Sequence, residues 1–502
     1  MLAGVRAEID GDDAVDITDL AYDSRRVEAG ALFFAVTGEL SDGHEHAVQA
    51  VASGAAALVV ERALGLGVPE ARVGSARAAM APAAVRFFRD PTARLPVAGI
   101  TGTNGKTTSA FLLRHILETA GVATGLLGTV KSVVGGVEAE LARTTPEAID
   151  LQSLFRAMLD AGDGACAMEV SSHALAIGRT AGVRFAVGAF TNLTQDHLDF
   201  HPSMTAYYAA KRKLFEAEPR LRVVNRDDEW GRRLIADFPD AMTYGMDDVS
   251  GLETGRAGSR FAFDGREWTT PLPGPFNVLN CLAAIHSARA LGADDAGLVR
   301  ALARIGQVPG RFEPVDEGQD FAVVVDYSHT PDSLENVLRA ARGMAAGRVV
   351  CVFGCGGDRD RGKRPIMGRI ASELADVAIV TSDNPRSEDP EEIIREVLAG
   401  MEGGAEAIVD RREAIARAVE RAGPGDVVVI AGKGHEQGQE FADGVKKPFD
   451  DVTVAREAML GARGKTVAKA GSSSKKGAGR TRERNLSLSK NEERPCPTGS
   501  LS

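Results

Sequence analysis

One segment of the chain combines small, basic and hydroxyl residues in a spacing that suits phosphate binding: Gly102, Thr103, Asn104, Gly105, Lys106, Thr107 and Thr108. It follows an apolar stretch, Pro96–Ile100, and precedes a helical pattern over Ser109–Thr119. A glycine loop between a strand and a helix N-terminus gathers backbone N–H groups at the positive end of the helix dipole, and a lysine adds a full charge. The segment therefore predicts an ATP-type phosphate site in which Thr107 meets Mg²⁺. Ile100 stands where the strict motif has glycine, and the alternative is a turn without ligand.

Acidic and imidazole side chains follow two further strand patterns. Glu169 ends one of them and begins the segment Glu169–His173, and the segment Asp196–His201 follows the next. Carboxylate oxygens with an occasional imidazole suit Mg²⁺ in a nucleotide site. Glu169 and His197 are therefore candidate metal ligands, while a hydrogen-bonded structural role for His197 is an equally good interpretation.

Polar clusters recur after four strand patterns in the last third of the chain. They are Asp326–His329, Gly354–Arg364, Thr381–Arg386 and Ala431–Glu436. Ligands of open parallel sheets bind beyond the carboxyl ends of the strands, so the four clusters are expected to converge on one crevice. Arginine forks suit carboxylates, and Asp and Glu suit ammonium groups. The mixture predicts a site for an amino acid with several charged ends, with merely solvated loops as the alternative.

The elements that must position these groups alternate between strand and helix patterns, which favours an α/β protein with mostly parallel sheets. A chain of 502 residues is too long for one core, and three domains are expected. Turn-rich segments near Asp90 and Pro309 suggest the boundaries. The predicted units are a small α/β domain over 1–90, a central domain over 91–310 with a P-loop-type sheet, and a Rossmann-like domain over 311–461.

Composition excludes several classes of protein. The net charge of −11 argues against a general nucleic-acid binder. No apolar stretch has the length of a membrane span, and no signal peptide is visible. Five scattered cysteines suit a reducing cytoplasm, and without a second pair near Cys351 and Cys355 a zinc site is not indicated. A cytoplasmic location and a monomer are expected, although the sequence itself carries no legible interface.

The end of the chain changes character. Residues 462–502 carry ten Lys and Arg against three Glu, with few apolar residues, and are predicted to be disordered. A dispensable solvated extension is favoured over a basic arm for an acidic partner.

The motifs closely resemble those of the Mur ligase family. The resemblance rests on three segments, Gly102–Thr108, Glu169–His173 and Tyr208–Lys211, and extends over about residues 15–460 in that family's three-domain order. It implies a UDP-binding N-terminal domain, a central ATPase domain and a C-terminal amino-acid-binding domain. It also implies ATP-dependent amide-bond formation with Mg²⁺ as the cofactor.

Within that family the chain looks like the branch that adds the third residue of the cell-wall peptide. The segment Asp23–Val27 resembles its uridine-binding segment, and Asp383–Arg386 resembles the tetrad that accompanies meso-diaminopimelate. Diaminopimelate carries a carboxylate that lysine lacks, and the planar guanidinium group of an arginine can bind it. The implied reaction joins meso-diaminopimelate to the D-glutamate γ-carboxylate of UDP-N-acetylmuramoyl-L-alanyl-D-glutamate through an acyl phosphate.

The resemblance also assigns roles to individual positions. Lys106, His197 and a carbamylated Lys211 would be catalytic, with Thr107, Glu169, His197 and Lys211 holding the metal. The ATP site would comprise Gly102, Thr103, Asn104, Gly105, Lys106, Thr107, Thr108, Asn277, Asn280 and Arg311. The UDP-muramoyl dipeptide would contact Ser24, Thr144, Thr145, Ser171 and Arg179. Diaminopimelate would contact Arg359, Asp383, Asn384, Pro385, Arg386, Gly432 and Glu436.

Three positions depart from the family pattern, namely Ala29, Arg143 and Ile177. The last two leave the substrate contacts beside them open. Two other functions fit part of the pattern. A folylpolyglutamate-type ligase shares the nucleotide loop and the acyl-phosphate chemistry, but it does not account for the segment around Ser24 or for Asp383–Arg386. A nucleotide-dependent switch or scaffold would bind nucleotide without amino-acid-dependent ADP release.

Overall fold

The computed structural model describes residues 2, 4–38 and 41–473. They form three α/β units whose main sheets have five, eight and six strands. The predicted fold class, α/β with mostly parallel sheets, is confirmed. Within these ranges, no helix combines the length and the apolar character needed to cross a membrane.

The first unit is a five-stranded sheet in the order β1-β5-β4-β3-β2, parallel except for β1. Its apolar strands β3 and β4 are fully buried, as expected where helices cover a parallel sheet. Its elements are β1 (Ala7–Asp10), β2 (Asp19–Ala21), β3 (Ala31–Phe34), α1 (Ala47–Ala52), β4 (Ala57–Val60), β5 (Glu70–Val73) and α2 (Ala76–Phe87).

The second unit is an eight-stranded sheet in the order β13-β12-β11-β6-β10-β7-β8-β9, with an added three-stranded antiparallel sheet, β14-β15-β16. Strands β13 to β7 in that order are parallel, and β8 and β9 form an antiparallel edge. Its elements are β6 (Val97–Thr101), α3 (Lys106–Thr119), β7 (Thr124–Leu127), β8 (Ser132–Val134), β9 (Val137–Ala139), α4 (Ala148–Ala161), β10 (Ala165–Glu169), α5 (Ser172–Ala176), β11 (Phe185–Phe190), α6 (Met204–Glu216), β12 (Leu221–Asn225), α7 (Glu229–Asp237), β13 (Met242–Tyr244), β14 (Val249–Gly255), β15 (Gly258–Phe263), β16 (Arg266–Thr270), α8 (Pro275–Ala290) and α9 (Asp295–Leu302).

Alternation along β6 shows how this sheet is held between helices. Ala98 and Ile100 face a core that includes α3 and α8, while Val97 faces the opposite core, which includes α4 and α6. Successive side chains of a strand point to opposite faces, so one apolar run serves both layers. The carboxyl ends of β6, β10 and β11 are thereby fixed side by side, which places the polar residues that follow them at one edge.

The third unit is a six-stranded sheet in the order β17-β18-β22-β19-β20-β21, parallel except for β17, with an antiparallel β23-β24 hairpin. Its two faces are covered by α10 to α12 and by α13 and α14. Its elements are β17 (Glu313–Pro314), β18 (Ala322–Asp326), α10 (Pro331–Met344), β19 (Val349–Phe353), α11 (Lys363–Leu374), β20 (Val377–Val380), α12 (Pro390–Leu398), β21 (Glu406–Ala407), α13 (Arg411–Arg421), β22 (Val427–Ala431), β23 (Gly438–Glu440), β24 (Lys446–Pro448) and α14 (Asp451–Ser473).

Helix α14 extends past Ala462 into the segment predicted to be a basic tail. Residues 474–502 of that predicted tail lie outside the described residues. The domain boundaries stay a prediction.

A buried ion pair fastens the start of α14 to α13. Arg411 and Asp451 are both fully buried, and Arg411 donates to the Asp451 carboxylate at 2.7 and 2.8 Å and to Ala431 O at 3.0 Å. Ala431 ends β22, so this pair supports the loop that carries Gly432 and Glu436.

Removing one partner of this pair is expected to destabilise the protein strongly. Asp451→Asn should lower the free energy of unfolding by about 3–5 kcal/mol, because Arg411 would be left as an uncompensated buried charge. Urea unfolding measures it. The neighbouring Arg412 pairs with Glu457 on the surface, with 57% of its side chain exposed, so Arg412→Ala should cost no more than about 1 kcal/mol. Equal losses in the two variants would contradict the argument.

Candidate active site

The predicted nucleotide loop lies between β6 and α3. Its residues, 102–105, follow Thr101, and α3 begins at Lys106 with Gly105 as its N-cap in the left-handed region, at φ +84°. A second loop supports it: Asn192 O accepts from the Thr103 N–H at 2.9 Å, and Asn192 Oδ1 accepts from the Asn104 N–H at 2.8 Å. The loop is thus held open at a helix N-terminus, the arrangement that binds phosphate.

The side chains of Lys106 and Thr107 are engaged within the loop itself. Lys106 Nζ donates to Gly102 O at 2.9 Å and to Thr103 O at 2.8 Å. Thr107 Oγ1 donates to Glu169 Oε2 at 2.9 Å and accepts from Arg311 Nη2 at 3.1 Å. The structure therefore brings Glu169, at the end of β10, and Arg311, just before β17 of the third unit, to the hydroxyl predicted to meet the metal.

Lys211 is buried against the same loop. Its side chain lies on α6, and Nζ donates to Gly102 O at 2.7 Å and sits 4.7 Å from the centre of the Tyr207 ring. Burial, together with the nearby Lys106 charge, lowers the pKa of Lys211 well below its usual value. This shift favours the free amine, the form that reacts with CO₂ to give a carbamate.

His197 and Asp196 connect the central unit to the third unit. His197 Nε2 lies 3.2 Å from Asp196 Oδ2, and burial lowers the pKa of His197 to about 3. The Asp196 carboxylate also lies 3.7 Å from Lys363 Nζ and 3.7 Å from His329 Nε2. Burial opposes ionisation of Asp196, but His329, His197 and Lys363 hold its pKa well below the usual value. A neutral His197 is suited to coordinate a metal or accept a hydrogen bond.

Most of the predicted residues line one cavity of about 780 Å³ between the second and third units. The cavity brings together the nucleotide loop, the predicted metal ligands, the ATP-base residues, the muramoyl-peptide residues and one diaminopimelate residue. They are Gly102–Thr108, Thr144, Thr145, Glu169, Ser171, Arg179, His197, Lys211, Asn277, Asn280, Arg311 and Arg359. Arg143 also lines it.

Arg179, one of the predicted muramoyl-peptide residues, is held by a carboxylate that no sequence motif indicates. Glu147 Oε1 accepts from Arg179 Nε at 2.9 Å, and Glu147 Oε2 accepts from Arg77 Nη1 at 2.9 Å. Arg77 lies on α2 of the first unit, while Glu147 and Arg179 belong to the second. Nothing local in the sequence pairs Glu147 with residues 70 and 32 positions away.

The polar clusters of the third unit contact one another, and Asp326–His329 and Arg359 line the central cavity. Asn384 Nδ2 donates to Glu436 Oε2 at 2.9 Å, and Arg386 Nη1 donates to Gly357 O at 2.7 Å. Gly432 has φ +122°, and a Cβ added there would lie 2.4 Å from Asp383 Oδ2, so a side chain at this position would be strained and would displace that carboxylate. Asp383, Asn384, Pro385, Arg386, Gly432 and Glu436 lie outside the central cavity, and Tyr327, which lines the cavity, donates to Glu436 Oε1 at 3.3 Å.

Ser24 is placed apart from the cavity. It lies in the first unit and its Oγ donates to Gln49 Oε1 at 2.9 Å. The predicted uridine-binding residue therefore lies in the first unit and the nucleotide loop in the second. The contacts of Glu147 with Arg77 and Arg179 join these two units.

The oxygen donors at the loop fit a magnesium ion. Thr107 Oγ1 and Glu169 Oε2 are 2.9 Å apart, and Glu169 also accepts from the Thr129 N–H at 2.8 Å. Mg²⁺ bound with ATP keeps several waters and phosphate oxygens and needs only one or two protein ligands. Among residues 2, 4–38 and 41–473, no group of three or more His, Cys, Asp or Glu side chains is arranged to hold a metal ion.

Gly105 offers a test of the loop geometry. A Cβ at Gly105 would lie 2.3 Å from Asn280 Oδ1, so Gly105→Ala should displace the loop and raise KM for ATP by about tenfold or more. Gly121 has nearly the same φ, +86°, but a Cβ there meets nothing within 4 Å. Gly121→Ala should therefore share the backbone strain, about 1–2 kcal/mol, without the effect on KM. Matching KM values for the two variants would refute the prediction.

The fold and the site together define a three-domain α/β protein organised around a nucleotide-phosphate loop, with its ligand groups shared between the second and third units. Three family models match the chain: the "Mur ligase family, catalytic domain" over residues 16–96, the "Mur ligase middle domain" over 100–288 and the "Mur ligase, glutamate ligase domain" over 310–434. The chain belongs to the Mur ligase family, which confirms the predicted resemblance.

Similar proteins carry one recurring name. A UDP-N-acetylmuramoyl-L-alanyl-D-glutamate–2,6-diaminopimelate ligase of Solibacter usitatus is 46% identical over 468 residues, which cover 89% of this chain and 94% of that protein. A solved structure of a ligase with the same name is 33% identical, with a TM-score of 0.62, covering 89% and 95% of the two chains. A MurF ligase from Thermotoga maritima in complex with ADP, 18% identical with a TM-score of 0.59, covers 92% and 100% and shares the fold.

Proposed function

We propose that the protein joins meso-diaminopimelate to the D-glutamate γ-carboxylate of UDP-N-acetylmuramoyl-L-alanyl-D-glutamate, with ATP converted to ADP and phosphate. A carboxylate does not condense with an amine unaided, because oxide is a poor leaving group. Transfer of the γ-phosphoryl group to the carboxylate makes an acyl phosphate. The amine then attacks its carbonyl carbon, and phosphate leaves from the tetrahedral intermediate as the amide bond forms.

One observation carries this proposal. The nucleotide loop, Thr144, Thr145, Arg179 and Arg359 line the same cavity of about 780 Å³. Through Tyr327, this cavity adjoins the cluster that contains Asp383–Arg386 and Glu436. A phosphate donor, a carboxylate acceptor and a charged diamino acid can therefore meet at one place, and holding reactants together in the right geometry lowers the barrier to reaction.

The chain's own residues supply charge and position. Lys106 and the loop N–H groups are placed to neutralise negative charge on the transferred phosphoryl group, after Lys106 exchanges its bonds with Gly102 O and Thr103 O for bonds to phosphate. Arg386 and Arg359 suit the carboxylates of diaminopimelate, and Asp383 and Glu436 suit its ammonium groups. The cavity lies between two units, so its closure would keep water from the acyl phosphate.

Thr107 and Glu169 would hold Mg²⁺, with His197 and a carbamylated Lys211 as the further ligands. When bound, the ion supplies positive charge next to the phosphates. The lowered pKa of Lys211 supports its carbamylation, because only the free amine adds CO₂.

The test is an ADP-release assay with the full chain, ATP, Mg²⁺ and the UDP-muramoyl dipeptide. Release should require a diamino acid and should be faster with meso-diaminopimelate than with L-lysine. A preference for lysine, or release that ignores the amino acid, would overturn the proposal. Thermal shifts separate the alternatives: UDP-muramoyl dipeptide should raise Tm, whereas a rise with a folate instead would point to a folylpolyglutamate-type ligase.

A further inference from the structure

A lysine that no part of the proposed mechanism uses is completely buried beside the amino-acid cluster. Lys433 follows β22, and its side chain has an exposed fraction of 0%. Its Nζ donates to Asn384 Oδ1 at 2.8 Å and to Glu436 Oε2 at 2.8 Å, and lies 3.8 Å from Asp383 Oδ1. Burying an ammonium group is costly unless it is paired and hydrogen-bonded, so three polar partners within 4 Å indicate a defined role.

From these contacts we propose that Lys433 is a positioning residue: it fixes Asn384 and Glu436 in the orientation that receives the charged ends of the diamino acid. The inference rests on the proposed function and extends it, since it assigns a role to a residue that does not itself touch the substrate.

The first part of the argument concerns the side-chain amide of Asn384. Its Oδ1 accepts from Lys433 Nζ and, at 3.0 Å, from the Glu440 N–H. Two donors on one side of the amide leave its NH₂ group facing Glu436, where Nδ2 donates to Oε2 at 2.9 Å. Rotating the amide by half a turn would place NH₂ against an ammonium group, so Lys433 selects a single orientation.

The second part concerns the charge of Glu436. Burial opposes ionisation of this carboxyl, but the Lys433 charge and hydrogen bond bring the pKa of Glu436 below its usual value. Lys433 and Asn384 both donate to Oε2, which leaves Oε1, the acceptor for Tyr327, as the oxygen less occupied by the protein. With 31% of its side chain exposed, Glu436 is an accessible anion held by an inaccessible cation.

Other charged or titratable groups also face Glu436. They come from its own segment, from the loop after β18 and from α13: His435, Tyr327, His329 and Arg411. Asp383, after β20, faces Lys433 instead, at 3.8 Å. Burial lowers the pKa of His435 to about 4, so it stays neutral above pH 6. Because any titration of the remaining groups is shared by the wild type and a Lys433 variant, the ratio of their KM values isolates the contribution of Lys433.

The experiment compares Lys433→Met, Lys433→Gln and Lys433→Arg with the wild type in the ADP-release assay. In the Met and Gln variants, KM for diaminopimelate should rise by about tenfold or more, as for a lost charged hydrogen bond, while KM for ATP stays within about twofold. Loss of the cation raises the pKa of Glu436, so protonation at lower pH removes the partner of the substrate ammonium. The KM ratio should therefore grow as the pH falls from 8.5 to 6.

The Arg variant keeps the charge but not the geometry. It should raise KM for diaminopimelate several-fold, but the ratio of its KM to that of the wild type should not grow at low pH. If the Met and Gln variants do not fold, the Arg variant alone tests the inference. Lys446→Met, an exposed position in the same unit, is the control and should match the wild type. An unchanged KM for diaminopimelate in the Arg variant, or in a folded neutral variant, would overturn the inference. So would a parallel rise in every KM, which a merely structural role predicts. A wild type without diaminopimelate-dependent ADP release would instead remove the proposed function, and the inference with it.

Discussion

Lys211→Ala is expected to lower turnover by about 10³-fold or more, the upper range for losing one preorganised electrostatic group from an active site. The amine is fully buried and donates to Gly102 O, and burial lowers its pKa well below the usual value. On the proposed function it carries a carboxylate derived from CO₂ that helps hold the metal ions near the phosphates. The measurement is ADP release at saturating substrates, and added acetate should restore part of the activity by replacing the missing carboxylate.

Lys213 provides the control for that result. It lies two residues further along α6, is exposed, and its Nζ donates to Ala176 O at 3.0 Å. Lys213→Ala should keep near-normal turnover, since it removes a lysine from the same helix without touching the loop. If Lys211→Ala also kept more than a tenth of the activity, the buried amine would have no part in the reaction.

Arg386→Ala is expected to raise KM for diaminopimelate by about 10- to 150-fold, which corresponds to about 1.5–3 kcal/mol for a hydrogen bond to a charged group. Arg386 is held by Glu440 at 2.9 Å and by Gly357 O at 2.7 Å, with 20% of its side chain exposed. This fixed guanidinium is suited to grip the carboxylate by which diaminopimelate differs from lysine. The ratio of ADP-release rates with diaminopimelate and with L-lysine should therefore be smaller in the variant than in the wild type.

Arg369 supplies the comparison for Arg386. It forms a surface pair with Glu373 on α11, and both side chains are 54% exposed. Arg369→Ala should leave both KM and amino-acid preference unchanged. An Arg386→Ala enzyme with wild-type KM and wild-type preference would show that the carboxylate is recognised elsewhere, with Arg359 the next candidate.

The parallel framework is predictable from the sequence because its strands are buried on both faces and read as short apolar runs. Val377–Val380 and Phe185–Phe190 are examples, and both are strands in the structure. The antiparallel pieces are not predictable in the same way. Strand β14 alternates irregularly and is largely exposed, and the hairpin strand β24 is exposed throughout, so neither carries an apolar pattern.

The residues of the candidate site likewise differ in whether a local sequence pattern reveals them. The nucleotide loop is recognisable because its chemistry lies within seven consecutive residues, 102–108. The family resemblance then named distant positions such as Arg311 and Asn280, which the structure brings to that loop. Glu147 and Lys433 escaped notice as functional residues because their roles depend on partners that only the folded chain supplies. A single Lys or Glu has no pattern of its own.

The carboxylate of Glu147 has a consequence for anyone recombining this enzyme from parts. One of its oxygens accepts a hydrogen bond from Arg77 in the first unit, and the other accepts one from Arg179 in the second. A chimera whose N-terminal unit comes from another protein and has no cation at position 77 would leave the Glu147 carboxylate with one of its two arginine partners, and Arg179 would then shift. Whether such a chimera keeps Arg179 in position should therefore depend on the residue that the new N-terminal unit carries at position 77.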